Sequence, residues 1–243
     1  AGLDDPIYAK ISARGTRVVN SSAQGVAISE YVMAQVLSLV HPIDRQREQQ
    51  SNKNWQITPF RELSRMNWLI IGYGPIGQAI AKRVKAFGAT TTIIRRSPQT
   101  SEFVDKAGTM AQLGTYLPDA DVIVIACSLT EDTRGFADQS FFAALKQDAL
   151  LVNIARGALI DDTAMIAALD SGRLAHAVLD VFHTEPLPQD DPLWSHPQAR
   201  ITAHTSFAGN GVQGRWDELF LDNLSRFVNG ETLLSEVNPK DIT

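Results

Sequence analysis

Trp68-Leu69-Ile70-Ile71-Gly72-Tyr73-Gly74-Pro75-Ile76-Gly77 decides the fold. Residues 68–71 are bulky, apolar and β-prone. Beyond the glycines, Ile76, Ile80, Val84 and Phe87 recur at helical spacing and form one stripe, with Gly88 where a helix C-cap belongs. The pattern G-x-G-x-x-G is common by itself. Between a strand and a helix it acquires a mechanism. Gly72 permits the tight turn, Gly74 lets the backbone approach a pyrophosphate, and Gly77 lets the helix pack close to the strand. The free N–H groups and positive dipole of the helix N-terminus then face the phosphates. A βα turn without a ligand is the plain alternative.

Outward from this unit the hydrophobic period keeps switching between strand and helix. Strands are expected at residues 90–94, near 108–111, and at 121–126, 150–154, 175–182 and 200–202. Helices are expected at 141–146 and 163–169. That alternation predicts an α/β fold, a doubly wound parallel sheet of the Rossmann kind. The continuous apolar run at 121–126 suits a strand covered on both faces. Two longer helices flank the block. One, at 28–40, is strongly apolar, and His41-Pro42 predicts a kink or restart before the polar stretch 44–52. The other, at 216–228, carries Leu219, Phe220, Leu224 and Phe227 on one side and ends at Gly230.

The composition excludes several classes. The 243 residues carry a net charge of −5, which argues against nucleic acid and a polybasic membrane anchor. No apolar run is long enough to span a bilayer. The only cysteine, Cys127, permits no intrachain disulfide, so nothing requires an oxidising compartment and a cytoplasmic location is expected. The N-terminus has no signal-peptide layout, and the chain starts at Ala1 rather than Met.

In a doubly wound sheet, ligands bind outside the carboxyl ends of the strands. At the end of the second strand an acidic residue would select the 2′-hydroxyl of NAD. Arg95-Arg96-Ser97 stands there instead, which favours NADP(H) through its 2′-phosphate, with NAD as the alternative. Arg156 follows the fifth strand, Glu185 the sixth and His204 the seventh. A guanidinium, a carboxylate and an imidazole would share one rim with a dinucleotide. That set suits hydride transfer to a 2-keto acid. Arg156 would hold the carboxylate and polarise the carbonyl. His204 would give the proton, and Glu185 would orient the imidazole and favour its charged form. Singly, each residue reads as a surface ion pair or a structural histidine. A metal cluster of Asp180, His183 and Glu185 lacks a fourth ligand at matching spacing, so no metal is expected. His176 reads as packed or hydrogen-bonded, and His41, His183 and His196 as loop or cap residues. Cys127 reads as a small core residue beside the cofactor, not a nucleophile.

With these motifs assembled, the chain resembles the D-isomer-specific 2-hydroxyacid dehydrogenase family. The resemblance runs through Val19-Asn20, Ser29-Glu30-Tyr31, the glycine loop, Ser128-Leu129-Thr130, Asn153-Ile154-Ala155-Arg156-Gly157, Leu179-Asp180-Val181, Glu185-Pro186-Leu187 and Thr202-Ala203-His204. It departs at Ser128 and Ala203, where the family commonly has proline. The resemblance implies Arg156, Glu185 and His204 as catalytic residues, and Asp180 near the nicotinamide carboxamide. The cofactor set then comprises Gly72, Tyr73, Gly74, Pro75, Ile76, Gly77, Arg95, Arg96, Ser97, Cys127, Ser128, Thr133, Ile154, Ala155, Arg156, Asp180 and His204. The substrate set comprises Gly2, Leu3, Arg156 and His204, and the substrate is a small 2-keto or 2-hydroxy acid. Trp194, Trp216 and Phe207 are candidates for shaping its side-chain pocket. A homodimer is implied as well.

The resemblance also implies a domain plan. Residues 23–214 form the dinucleotide-binding domain, and 1–22 with 215–243 are remnants of a flavodoxin-like substrate domain. The chain is accordingly expected to be a fragment, lacking the segment before Ala1. A competing expectation on the same fold is a non-catalytic dinucleotide-sensing module that regulates a protein partner.

Overall fold

The structure, a computed structural model, describes residues 6–238. Three helices come first: α1 (Pro6–Ser12), α2 (Gly25–Val40) and α3 (Ile43–Ser51). Strand β1 (Asn67–Ile71) and helix α4 (Pro75–Ala86) enclose the glycine loop, followed by β2 (Thr90–Ile94) and β3 (Lys106–Gly108). Then come α5 (Leu113–Tyr116), β4 (Val122–Ile125), α6 (Gln139–Ala144), β5 (Ala149–Asn153) and α7 (Asp162–Asp170). The series closes with β6 (Leu174–Leu179), β7 (Ala199–Ile201) and α8 (Val212–Val228).

The strands form one sheet in the order β3-β2-β1-β4-β5-β6-β7, and every pairing is parallel. The chain starts at the centre, works outward to β3, returns, and works outward again to β7. The reversal between β1 and β4 is the switch point at which such sheets open a ligand crevice.

Strand periodicity builds the two faces of the core. Leu69 and Ile71 of β1 point to one side with Ile123 and Ile125 of β4 and the phenyl rings of α6, Phe141 and Phe142. Trp68 and Ile70 point to the other with Val122 and Val124, against Val32 and Val36 of α2 and Ile80 and Val84 of α4. Because both faces are covered, β4 is buried at every residue, as its unbroken apolar run required.

The expected break at His41-Pro42 is present, with α2 and α3 meeting at 55°. The His41 ring stacks on Phe60 at 4.1 Å. Among the described residues no single helix is long and apolar enough to cross a membrane. Two local expectations are corrected. The third strand lies at Lys106–Gly108 rather than 108–111, because Thr109 opens a capping box with Gln112 and ends the extended stretch. Phe87 does not join the buried stripe: α4 stops at Ala86 and the phenyl ring is 45% exposed. On α8, the expected apolar side is largely exposed at Phe220, Leu224 and Phe227, which line a hollow of about 730 Å³ together with Trp216 and Leu219.

Candidate active site

The glycine loop is tight where the sequence has no side chain and open where a ligand would need room. Gly72 has φ +104°, and a Cβ there would lie 2.5 Å from the Cys127 nitrogen. A Cβ at Gly77 would lie 2.2 Å from the Gly72 carbonyl oxygen. At Gly74 a Cβ would meet nothing within 4 Å. Gly74 caps α4 without any side-chain hydrogen bond, and Pro75 takes the first turn, so the helix N-terminus is not closed off by a capping side chain. Ile76 is half-buried behind the loop.

Beside the loop, at the end of β2, the Arg95 guanidinium lies 5.8 Å from the centre of the Tyr73 ring, and the Tyr73 hydroxyl hydrogen-bonds Ser101 at 3.2 Å. Arg96 and Ser97 continue outward and are exposed. The Cys127 thiol is pushed up to about 12 by burial, which removes the thiolate from the neutral range and supports a packing role. Past the exposed Ser128, the Thr133 hydroxyl donates to the Ser128 carbonyl at 2.9 Å and accepts from Thr130 N–H at 2.8 Å. Its hydrogen bonds tie the loop to itself. Ile154 is buried in the core on the α2–α4 side and offers the rim little surface.

Arg156 is delivered by a buried amide. The Asn153 side chain accepts from Ala155 N–H at 3.1 Å and donates to the Arg156 carbonyl at 2.9 Å. That wraps the residues after β5 into a fixed turn. The guanidinium donates to the Ala155 carbonyl at 2.7 Å. A Cβ at Gly157 would lie 2.1 Å from the Phe182 carbonyl carbon, so the turn after β5 runs directly against the loop after β6. Only glycine fits there, and that close crossing sets Arg156 beside the loop that carries Glu185.

Glu185 accepts from Phe182 N–H at 2.9 Å through Oε1, and its Oε2 lies 2.7 Å from Nδ1 of His204. The spacing suits an Nδ1–H donor, which leaves Nε2 as the nitrogen available to a ligand. Both side chains keep part of their surface in solvent. His204 sits at φ +48°, the left-handed region, where a residue other than glycine needs outside support. Asp180 supplies it. The residue is fully buried and accepts from Thr202 Oγ1 at 2.5 Å, Thr205 N–H at 2.8 Å and Ser206 N–H at 2.9 Å.

Of the three aromatic candidates, Phe207 meets His204 edge-on at 6.1 Å. Trp194 is pinned to the Pro188 carbonyl, and Trp216 lines the hollow under α8. That hollow holds none of Arg156, Glu185 and His204. The members of the considered metal cluster have separate partners: Asp180 the His204 turn, Glu185 the imidazole, and His183 the Ile160 carbonyl at 2.9 Å. Among the described residues no group of three His, Cys, Asp or Glu side chains is arranged to hold a metal. Gly2 and Leu3 lie outside the described residues.

Sequence reading missed two supports of this rim. Gly157 stood in a quoted motif, but its need for close approach depends on a loop 25 residues later. Tyr31, whose hydroxyl lies 2.7 Å from Thr202 Oγ1, stood in the quoted Ser29-Glu30-Tyr31 motif without a role, on a helix read as apolar. Its signal was a phenol among the aliphatic side chains of that stretch, where the other hydroxyls are the serines Ser29 and Ser38.

Comparison with known proteins places the rim in context. The family model described as "D-isomer specific 2-hydroxyacid dehydrogenase, NAD binding domain" matches residues 33–206. A glyoxylate/hydroxypyruvate reductase A of Yersinia enterocolitica is 32% identical over 76% of this chain, which spans 59% of that relative's length. Among solved structures, a D-isomer specific 2-hydroxyacid dehydrogenase from Xanthobacter autotrophicus Py2, in complex with NADPH and MES, superposes with a TM-score of 0.86 at 27% identity, covering all of both chains. An NADPH-dependent glyoxylate/hydroxypyruvate reductase from Sinorhizobium meliloti, in complex with NADP and sulfate, gives 0.82 at 26% identity over 94% of this chain and 73% of the other.

Proposed function

The chain belongs to the D-isomer specific 2-hydroxyacid dehydrogenase family, and we propose on that premise that it transfers hydride between NADP(H) and a small 2-keto or 2-hydroxy acid of D configuration. The direction favoured is reduction of glyoxylate-like or hydroxypyruvate-like acids, in keeping with the relatives' names. Residues 23–214 form the dinucleotide-binding domain in this reading.

The observation that carries the proposal is the 2.7 Å contact between Glu185 and His204 Nδ1, on a loop packed directly against the turn of Arg156. The glycine loop fits a dinucleotide, with open space at Gly74 and an uncapped helix N-terminus. Arg95 fits a 2′-phosphate, and the Tyr73 ring beneath it limits its wandering. When bound, NADPH supplies the hydride that reaches the carbonyl carbon. Arg156 takes the substrate carboxylate and polarises the adjoining carbonyl. His204 gives a proton from Nε2 to the carbonyl oxygen, completing the alcohol, and is the base in the reverse direction. Glu185 holds Nδ1 and so fixes the ring's orientation. The intact set of Arg156, Glu185 and His204 favours the enzyme reading over a sensing module without chemistry.

A homodimer in the cytoplasm completes the proposal. The dimer is supported by the exposed Trp55 and Ile57, 101% and 89% accessible, and the location by a lone cysteine that needs no oxidising compartment. The test is a reductase assay of the purified protein on a panel of 2-keto acids, with NADPH and NADH side by side. Turnover of glyoxylate or hydroxypyruvate with preference for NADPH is expected. Dinucleotide binding without turnover on any member of the panel would overturn the assignment in favour of sensing.

A further inference from the structure

The left-handed turn at His204 is held by Asp180 through donors on both sides of the histidine: Thr202 Oγ1 before it, Thr205 and Ser206 N–H after it. Thr202 has one hydroxyl proton, and the carboxylate takes it. Its oxygen therefore accepts from the Tyr31 hydroxyl, 2.7 Å away. Burial pushes the Tyr31 phenol up to about 12, so the donor proton stays in place throughout the neutral range. The direction Tyr31 to Thr202 to Asp180 follows from that proton count. A second tie between α2 and β7, Arg200 donating to Ser38, lies at another point of the strand. Loss of the Tyr31 hydroxyl therefore does not detach the helix.

We propose that Tyr31 is a positioning residue for the reaction: its hydroxyl fixes Thr202, which with Asp180 sets the turn at 204 and the aim of His204 Nε2. The inference rests on the reductase reading of His204. Tyr31 acts at a remove, through two side chains. Without the Tyr31 donor, Thr202 Oγ1 is held from the Asp180 side alone, and one of the turn's three anchors loses its support from α2.

Tyr31→Phe keeps the ring and removes only the donor. In the full-length protein, kcat for glyoxylate with NADPH is expected to fall about tenfold, with KM and the NADPH Kd within about threefold and Tm nearly unchanged. Thr202→Val is expected to lose as much or more, and the double variant no more than Thr202→Val alone, because the two hydroxyls act as one chain. A Tyr31→Phe kcat within about twofold of the parent, or losses that multiply in the double variant, overturns the proposal. If the parent protein reduces no 2-keto acid, the reductase reading fails by itself. The positioning claim is then decided by the ring ¹⁵N resonances of His204, which move in Tyr31→Phe if it holds and stay in place if it is wrong.

Discussion

Asp121 and Glu185 are carboxylates at opposite edges of one sheet, and their surroundings differ in kind. Asp121 precedes β4 at the amino edge. Its Oδ1 accepts from Arg61 Nη2 at 2.9 Å and Lys146 Nζ at 2.8 Å, and its Oδ2 from Asn67 N–H at 2.8 Å. The carboxylate is almost wholly buried and every one of those donors is protein. Glu185 stands at the carboxyl edge, open to solvent, and the histidine it holds has a second ring nitrogen to offer. Both edges use carboxylates and cations. What separates a clamp from a site is whether the polar groups end on one another or leave something over for a ligand.

Mutagenesis at the two edges can break this comparison. The largest effect is expected at His204→Ala, where kcat falls about 1,000-fold while Tm and NADPH affinity barely move. Near-normal turnover would mean that the histidine is another clamp. Arg156→Ala is next, with kcat/KM for the keto acid down about 100-fold in steady-state assays. If that loss appeared with NADPH binding but not with the acid, the assigned role would be wrong.

Asp121→Ala should show the opposite signature. Urea unfolding is expected to reveal a loss of about 2 kcal/mol, below the ~3–5 kcal/mol of a fully buried pair because the Arg61 and Lys146 heads reach solvent. The kcat of the folded protein should be unchanged, and a catalytic loss without a stability loss would erase the contrast. The smallest effect sharpens the carboxyl edge alone: Arg95→Asp should shift the NADPH-to-NADH preference about tenfold toward NADH. An unmoved ratio would remove Arg95 from 2′-phosphate recognition.

The sequence disclosed those parts that are local. Residues 68–77 carry strand, turn and helix in one short run, and each glycine meets a nearby atom or open space as its spacing implied. The Arg156, Glu185 and His204 positions were legible because each follows a strand at the same end of the sheet. Hidden parts depend on chain separation. Tyr31 and Thr202 are 171 residues apart, and no periodicity predicts their contact. Asp121 read as the first residue of an apolar strand, although a charge at that place was itself a sign of buried partners. Asp180 read as a cofactor neighbour, and its three hydrogen bonds to the His204 turn appear only once β6 and β7 pair. The third strand was misplaced because three residues on a sheet edge carry too short a pattern to fix their bounds.

A crystal structure of the protein with NADP and oxamate, a 2-keto acid isostere, tests most directly whether the carboxyl edge is a reaction site. The predicted result has the oxamate carboxylate on the Arg156 guanidinium and its amide carbonyl oxygen within about 3.2 Å of His204 Nε2, with Glu185 still on Nδ1. Oxamate seated away from these three side chains, or an imidazole turned so that Nε2 faces elsewhere, would contradict the account.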